Sequence, residues 1–481
     1  MPADESADVV VAGGGLAGLA CAATLADRGL RVQVFERSGW LGGRATSWLD
    51  PGRGQRVDIG PHVVSTEHRN FLALLDSLGT SHRIVWQEQP LITLLDAGRR
   101  IPMRMSRLPP PLHGLCNLPQ ALRCVSMTDL LSCSRVAWQA SRIDDAGCRV
   151  LDSETAQAWL VRMGVSARMI EWFWRSSMLA LLNLPLERCS AGAAMRVFRL
   201  MLGRSAYFFG FGAIGLSELF VPGCVRKIEA AGGRVRLHRG VRDVALQPGG
   251  VRGLVLDDGA RIDAARVVVA LDPASLAGLP AFEHTALKPA ARFARNLRPV
   301  PYVSTHLWFD RKLGPERFWA RVASPHDLNT DFYDLSNIRS DQSSRRSWIA
   351  ANAIDAAEAC GWSDERIIAR TLAEIGDFHP AARAARLADA RVHRIAMAIP
   401  AAEPGVEQGR PHQASGLPGL WIAGDWTDTG IPFSMESATR SALLVADEVS
   451  RSLGRRGCGV LPPPETVGLP ALLRRFAGFG L

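Results

Sequence analysis

The stretch VVVAGGGLAGLACAATLADRGLRVQVFER, residues 9–37, constrains the fold of this chain more than any other. Its eighteen residues from Val9 to Ala26 carry no ionisable charge, and about 18 to 20 apolar residues are long enough to cross a bilayer. Two features argue against a membrane span. The β-branched valines at its start favour a strand, and each of its three consecutive glycines would weaken a helix by about 1 kcal/mol.

The order of residues in this stretch predicts a strand, a glycine turn, a helix and a second strand. Residues 9–11 suit a buried strand, and apolar residues recur at helical spacing over 16–25, with Gly29 as a stop. The short strand at 31–35 then ends at Glu36. We therefore interpret residues 9–37 as a βαβ unit.

The glycines of this unit have the spacing of a nucleotide-binding turn. Gly13, Gly15 and Gly18 form G-x-G-x-x-G, which permits a tight turn, close approach to a pyrophosphate and packing of the helix on the strand. The helix N-terminus favours the phosphates. Glu36 follows at a spacing at which a carboxylate accepts a bond from a ribose hydroxyl, which favours FAD or NAD over NADP.

Composition limits the other possibilities. The 481 residues are enough for two domains. The net charge of +9 comes from scattered arginines, which disfavours nucleic-acid binding and leaves a modest attraction to anionic membranes open. None of the nine cysteines forms a C-x-x-C pair, and no His cluster has metal-ligand spacing. The acidic N-terminus does not resemble a signal peptide. We therefore expect a reduced, cytoplasmic protein without a metal site.

The sequence predicts one nucleotide-binding domain interrupted by two long insertions. Its middle segment reads as short strands with Gly and Asp-Gly turns, and its last segment as a strand, a loop and a helix. The predicted nucleotide-binding domain comprises residues 1–75, 220–275 and 405–455. The predicted substrate-binding domain comprises residues 76–219 and 276–404, and residues 456–481 form a tail.

Four further motifs follow the first glycine turn in order. They are LGGRATS at 41–47, DIGPH at 58–62, IAGDWTDTG at 422–430 and SMESA at 434–438. Together they resemble the FAD-dependent amine oxidase and phytoene desaturase superfamily over nearly the whole chain. FWRSSMLALLNLP, HLWFDRKL and AGDWTDTGIP are most similar to hydroxysqualene dehydroxylases, with phytoene desaturases next. The resemblance implies an α/β fold in which a discontinuous Rossmann-type FAD-binding domain carries an α+β substrate-binding domain.

The resemblance implies FAD as the cofactor. Arg44 would neutralise the pyrophosphate, and Gly60 and Pro61 would pass close to the isoalloxazine, where a side chain would clash. Asp425 would bond the ribityl–phosphate region, and the Met435 N–H would reach the flavin O2. With the motif residues above, the predicted cofactor contacts are Gly13, Gly15, Leu16, Ala17, Gly18, Glu36, Arg37, Gly42, Gly43, Arg44, Gly60, Pro61, Val241, Gly424, Asp425 and Met435.

The last helix departs from the family pattern. Ser437 and Ala442 stand where family members commonly have glycine, and the larger residue at 437 is expected to alter how closely the helix approaches the flavin. Pro61 stands where hydroxysqualene dehydroxylases commonly have Gln. These differences leave the choice of subfamily open, but they do not change the expectation that FAD is the cofactor.

By the same resemblance, the substrate is a long linear isoprenoid, which a protein holds by apolar burial at about 0.8 kcal/mol per CH₂. The first interpretation is dehydroxylation of hydroxysqualene to squalene by hydride from reduced flavin. The alternative is a phytoene desaturase, in which hydride passes to oxidised FAD. The first reaction needs a proton donor and the second an acceptor. His62, Glu67, Asp331 and Tyr333 are the candidates for either role.

Two other activities are weighed against these. A flavin amine oxidase would need an aromatic cage, for which three tyrosines give no support. A prenyl-binding carrier without flavin would not need the flavin motifs that this chain keeps.

We expect peripheral contact with the inner face of a membrane, with residues 100–140 as the substrate entrance. A basic amphipathic segment in the tail is a second candidate for that contact. The sequence does not identify the electron partner.

Overall fold

A five-stranded parallel sheet forms the centre of one half of the molecule. The computed structural model describes residues 7–339 and 345–477. In order across the sheet, the strands are Arg234–Arg236, Val32–Phe35, Val9–Ala12, Val267–Val269 and Leu420–Ile422. They come from the three segments predicted to form the nucleotide-binding domain. The exact domain boundaries stay a prediction.

Both faces of this sheet are covered, as its run of valines requires. Val9 and Val11 pack against a helical layer, whereas Val10 and Ala12 face a small antiparallel sheet. The helices of that layer are Leu16–Ala26, Val221–Ala230 and Met435–Ser452, and the small sheet comprises Val241–Gln247, Gly250–Leu256 and Arg261–Asp263. The predicted βαβ unit is therefore present at the start of the chain.

A seven-stranded mixed sheet forms the centre of the other half. In spatial order its strands are Leu387–Pro400, Pro299–Phe309, Trp348–Ala353, Asp331–Asp334, Phe318–Arg321, Ile92–Asp96 and Arg99–Met103. The helix Asp364–Phe378 packs on one face, against Trp319, Phe332 and their neighbours. Ser304 pairs with Asn352, which pairs with Asp331. These three side chains therefore share the opposite face.

The first insertion adds a helical layer. The run Trp172–Phe173–Trp174 lies in a π-helical turn, Ile170–Arg175, and both tryptophans are buried against the helical core. This run therefore supplies core packing. The α-helices of the insertion are Leu118–Ala121, Met127–Ser132, Ser134–Arg142, Asp145–Val150, Ala156–Arg162, Ala167–Met169, Ser176–Leu182 and Ala191–Gly203.

Shorter elements complete the fold. The remaining strands are Ser47–Asp50 paired with Gln55–Asp58, and Val64–Ser65 and Ile84–Trp86 on either side of Phe209–Gly212. The remaining α-helices are Arg69–Leu78, Pro273–Ala277, Lys288–Asn296, Leu335–Ile338, Val406–Gly409 and Gly468–Ala477. Over the described residues, no helix combines the length and the apolar character needed to cross a bilayer.

Replacing Gly18 with alanine tests the packing on which the first unit depends. A Cβ at Gly18 would lie 2.0 Å from the carbonyl oxygen of Gly13, so the helix and the turn would have to separate. We expect Gly18→Ala to lower the free energy of unfolding by at least about 2 kcal/mol. Gly361→Ala is the control, because its Cβ would meet no described atom within 4 Å. Equal denaturation midpoints for the two variants would contradict the expectation.

Candidate functional site

A cleft lies at the carboxyl end of the first strand and has a cavity volume of about 370 Å³. His62 lies on its wall. The cleft brings together most of the residues predicted to hold the cofactor, namely Gly13, Gly15, Leu16, Ala17, Glu36, Arg37, Gly42, Gly43, Arg44, Val241, Gly424, Asp425 and Met435. These come from distant parts of the chain, and the fold places them on one surface.

Backbone rather than side chains forms the floor of this cleft. Gly13 has a φ of +105°, and a Cβ there would lie 2.4 Å from the carbonyl oxygen of Ala270. Gly15 and Gly43 face each other, and the nearest heavy atom to a Cβ on Gly15 would be the Gly43 Cα, at 3.9 Å. A side chain on Gly15 would therefore be tolerated by the protein and would take up the space nearest the helix N-terminus.

The Glu36 carboxylate is fixed by three hydrogen bonds. The Gly14 N–H donates to Oε2 at 2.8 Å, and the N–H and hydroxyl of Ser38 donate to Oε1 at 2.8 and 2.7 Å. An ionised carboxylate has about four acceptor sites, so Glu36 retains capacity to accept a bond from a sugar hydroxyl in the cleft.

Arg44 and Asp425 form a bidentate ion pair within the cleft. The Arg44 Nη1 lies 3.1 Å from Asp425 Oδ2, and its Nη2 is close to Oδ1. Burial acts to lower the pKa of Arg44, but Asp425 and Asp272 outweigh it and raise that pKa. A guanidinium has five N–H donors, so the pair leaves donors that a phosphate group can use.

His62 is held in one tautomer. Its Nδ1 lies 2.8 Å from the carbonyl oxygen of Gly60, and a carbonyl oxygen can only accept, so the proton is on Nδ1 and Nε2 is the acceptor. Burial lowers the pKa of His62, which makes the ring neutral at pH 7. His62 therefore offers an acceptor nitrogen beside the cleft.

Six predicted site residues lie outside the cleft lining. Gly18 lies under the helix, against Gly13, and Glu67 pairs with Arg204 at 2.9 Å. A Cβ on Gly60 would point toward the seven-stranded sheet, 3.6 Å from Asn352 Oδ1 and from Ser304 Oγ. The expected approach of Gly60 to the isoalloxazine stays a prediction. The other three are Pro61, Asp331 and Tyr333.

Asp331 and Tyr333 belong to a polar group on the seven-stranded sheet. The Tyr333 hydroxyl donates to Asp331 Oδ2 at 2.7 Å. Burial raises the pKa of Asp331 to about 7, against the opposing effect of Tyr333 and Asn352. The Asn352 side-chain N–H lies 3.5 Å from the carbonyl oxygen of Pro61, one residue from His62. This group therefore lies beneath the DIGPH loop.

Arg410 was missed by the motif analysis. This buried guanidinium donates to the carbonyl oxygens of Asp425, Thr427 and Ile431 at 2.7, 2.9 and 2.7 Å. It also pairs with the buried Glu407 at 3.4 Å. Arg410 therefore holds the loop that joins the last strand of the parallel sheet to the helix beginning at Met435. No motif includes Arg410, so this role could not be predicted from the sequence.

Ser437 takes part in the same network. Its hydroxyl donates to the carbonyl oxygen of Asp425 at 2.7 Å and accepts from Arg410 at 3.2 Å. Its side chain therefore points into the loop and not into the cleft, which accounts for a residue larger than glycine at this position.

Asp272 was missed as well, although a signal was present. It lines the cleft and caps the helix Pro273–Ala277 by accepting from the Ser275 N–H at 3.0 Å. It follows the buried strand Val267–Val269, so the rule that ligands bind at the carboxyl ends of parallel strands would have found it.

The cleft fits FAD on these observations. It has a glycine-lined floor at a helix N-terminus for the pyrophosphate, a fixed carboxylate for the ribose and a guanidinium for the phosphates. Met435 begins an eighteen-residue helix whose N-terminus faces the same cleft, where the helix dipole favours negative charge.

Replacing Gly15 with alanine separates cofactor binding from folding. Because a Cβ at Gly15 has only a contact at 3.9 Å, we expect Gly15→Ala to leave the melting temperature of the cofactor-free protein unchanged. The methyl group would obstruct the pyrophosphate, so FAD affinity should fall at least about tenfold. Flavin fluorescence titration measures this. Wild-type affinity in the variant would contradict the assignment of the floor.

Comparisons with known proteins agree with this geometry. Residues 16–450 match the family described as flavin containing amine oxidoreductase. The chain is 27% identical to the 15-cis-phytoene desaturase of Synechococcus elongatus, over 94% of this chain and 98% of that protein. It is 29% identical to the carotenoid phi-ring synthase of Streptomyces griseus, over 98% and 92%.

Solved structures share the fold at low identity. Cyclohexylamine oxidase from Brevibacterium oxydans has a TM-score of 0.69 at 18% identity, covering 93% of this chain and 100% of that one. A putrescine oxidase has a TM-score of 0.68 at 18% identity, covering 92% and 98%. These findings confirm the predicted fold class and FAD as the cofactor. The chain therefore belongs to the flavin containing amine oxidoreductase family and is an FAD-dependent oxidoreductase.

Proposed function

We propose that this protein is an FAD-dependent desaturase of a long linear isoprenoid of the carotenoid type. The supporting observation is that a phytoene desaturase matches the chain across 94% of its length, including both insertions. We prefer desaturation, the alternative in the sequence analysis, to dehydroxylation. The reason is that the relatives named above are a phytoene desaturase and a carotenoid ring synthase. When bound, the flavin accepts a hydride from carbon.

An aromatic group beside Asp331 supports an apolar substrate. Phe318 lies 4.9 Å from Tyr333 and 5.4 Å from Phe211, between ring centroids. Phe209 lies 6.4 Å from Phe318 and is only partly buried. These rings belong to one buried apolar cluster, and Val63, next to His62, packs against it. A hydrocarbon that reached this cluster would be held through buried area and not through charge. The acid–base candidates His62 and Asp331 both lie near it, at the DIGPH loop.

Reductive dehydroxylation is the second candidate, and one observation favours it. Asp331 holds a proton near neutral pH because burial raises its pKa to about 7, so it has the acid that ionisation of an allylic alcohol requires. A hydrocarbon substrate has no oxygen to receive such a proton.

Anaerobic incubation with each substrate distinguishes the two reactions. We expect the FAD-loaded protein to bleach its own flavin absorbance when phytoene is added and to form a product with one more double bond and a longer conjugated system. Reduced protein with hydroxysqualene should then give no squalene. Formation of squalene without any reaction of phytoene would favour dehydroxylation as the function. Reaction of neither substrate, with flavin bound, would reject both candidates.

We further propose that residues 100–140 contact an anionic membrane surface. This segment exposes large apolar side chains: 61% of Leu131, 56% of Leu115 and 55% of Trp138 are accessible. It carries one acidic residue, Asp129, among several arginines. The helix Gly468–Ala477 adjoins it, because the Leu469 N–H donates to the Pro110 carbonyl oxygen at 3.2 Å. Residues 478–481 of the predicted tail segment lie outside the described structure.

Charge substitution in this segment tests the membrane contact. We expect Leu131→Asp to weaken sedimentation with vesicles containing anionic lipid about tenfold, because an inserted leucine contributes about 1.5–3 kcal/mol. High salt should weaken wild-type binding as well. Val161→Asp is the control, since Val161 is equally exposed, at 59%, outside the segment. Equal losses for the two variants would reject this surface.

A further inference from the structure

Three buried side chains with unpaired polar atoms lie on three neighbouring strands, and two of them lie beneath Gly60. Asn352 is paired in register with Ser304 on one side and Asp331 on the other. Among the described residues, Ser304 Oγ, Asn352 Oδ1 and Asp331 Oδ1 have no hydrogen-bond partner and no access to solvent. Each such atom costs about 1–3 kcal/mol if it stays unpaired. Three of them side by side indicate a site for a polar atom.

Gly60 leaves the space that such an atom needs. A Cβ at this position would lie 3.6 Å from Asn352 Oδ1 and 3.6 Å from Ser304 Oγ. Gly60 is not among the residues with positive φ, so its backbone does not require glycine. The missing side chain therefore leaves room between two unpaired polar atoms.

We propose that Gly60, Ser304, Asn352 and Asp331 form a cage for one neutral hydroxyl-type oxygen, either water or a substrate hydroxyl, and that Asp331 exchanges a proton with it. The hydrogen-bond donors and acceptors of the cage match those of a water molecule. Ser304 donates to the oxygen, and water has two protons to donate to the Oδ1 atoms of Asn352 and Asp331. Three partners are typical for a buried water.

This inference rests on the proposed function and deepens it. In desaturation, a bound oxidised flavin would accept a hydride from one carbon. The caged water takes the proton from the neighbouring carbon as that C–H electron pair enters the new double bond, and it passes one of its own protons to Asp331. In dehydroxylation, protonated Asp331 gives its proton to the substrate hydroxyl as the C–O bond breaks, and the oxygen leaves as water. The cationic carbon would then take the hydride that a bound reduced flavin would supply. Both directions use the same carboxyl oxygen.

The groups around Asp331 allow its carboxyl either to accept or to donate a proton. The Tyr333 hydroxyl fixes Oδ2 at 2.7 Å, which leaves Oδ1 for the cage. Within the described structure, the titratable groups that act on Asp331 are Tyr333 and Tyr302, and burial raises the pKa of each well above its usual value. Both phenols are therefore neutral, and neither competes for the proton.

Gly60→Ala fills the cage without a steric clash, because 3.6 Å is an ordinary contact distance. A crystal structure of the FAD-loaded wild type should show one oxygen within hydrogen-bond distance of Ser304 and Asn352. The FAD-loaded variant should lack it and turn over its substrate about 10²-fold more slowly. Gly361→Ala is the matched control. No oxygen in the wild type, or undiminished turnover in Gly60→Ala, would overturn the cage.

Crystals soaked with phytoene or hydroxysqualene distinguish the two sources of oxygen. Water retained with the hydrocarbon, and a substrate hydroxyl in its place with the alcohol, would both support the cage. An alcohol oxygen bound elsewhere while turnover proceeds would overturn it.

Asp331→Asn tests the protonation of the Asp331 carboxyl by measurements other than enzyme activity. Infrared spectra of the protein without substrate should contain a carboxyl band that titrates near pH 7 and disappears in Asp331→Asn but not in Asp76→Asn. A carboxyl whose pKa is raised on folding loses stabilising effect as pH rises toward that pKa. The melting temperature of Asp331→Asn relative to wild type should therefore rise between about pH 4 and pH 7 and level off above pH 7. A band unchanged by Asp331→Asn would contradict the inference.

These readouts separate the cage from the proposed function. If wild type reacts with neither isoprenoid but the oxygen and the carboxyl titration are found, the substrate assignment fails and the cage remains.

Discussion

The cofactor site depends on how closely three pieces of backbone approach one another. The turn after the first strand contacts the helix at Gly18, where a Cβ would lie 2.0 Å from the Gly13 carbonyl oxygen. Through Gly13 it also contacts Ala270, at the end of the strand Val267–Val269. Any side chain at Gly13 or Gly18 would push the helix N-terminus away from the strand ends. The phosphates of FAD need that N-terminus and those strand ends together, so the remaining contacts of the cleft follow from this packing.

A buried charge shapes the opposite wall of the cleft. A buried guanidinium is costly unless its donors are satisfied, and Arg410 satisfies its donors with carbonyl oxygens of the loop after Leu420–Ile422. Glu407 balances the charge and also contacts Arg196 of the helical insertion. The loop that carries Asp425 is thus fixed from both halves of the molecule. We infer that packing of the insertion and geometry of the cofactor loop are coupled through this pair of carboxylate contacts.

Features that depend on residues close in sequence could be predicted, whereas contacts between distant segments could not. The βαβ unit was predictable because glycine spacing and hydrophobic periodicity act over about thirty residues. Arg410 was not predictable, since its partners are carbonyl oxygens, which every residue carries. The role of Gly60 stays a prediction for a related reason: a motif shows that a side chain is absent but not the direction in which it would have pointed. The meeting of Ser304, Asn352 and Asp331 depends on strand register, which is set by pairing between distant segments.

The polar group beneath Gly60 bears on how one scaffold can serve two reactions. Three unpaired buried atoms at about 1–3 kcal/mol each outweigh the cost of ordering one water, about 0–2 kcal/mol. The cage is therefore stable only when an oxygen occupies it. A hydrocarbon cannot displace that oxygen, because it offers no hydrogen bonds in return, whereas an alcohol can. Whichever oxygen is present then decides whether Asp331 receives a proton or gives one. On this argument, the chemistry follows from the polar content of the substrate, and neither the fold nor the flavin site distinguishes the two reactions.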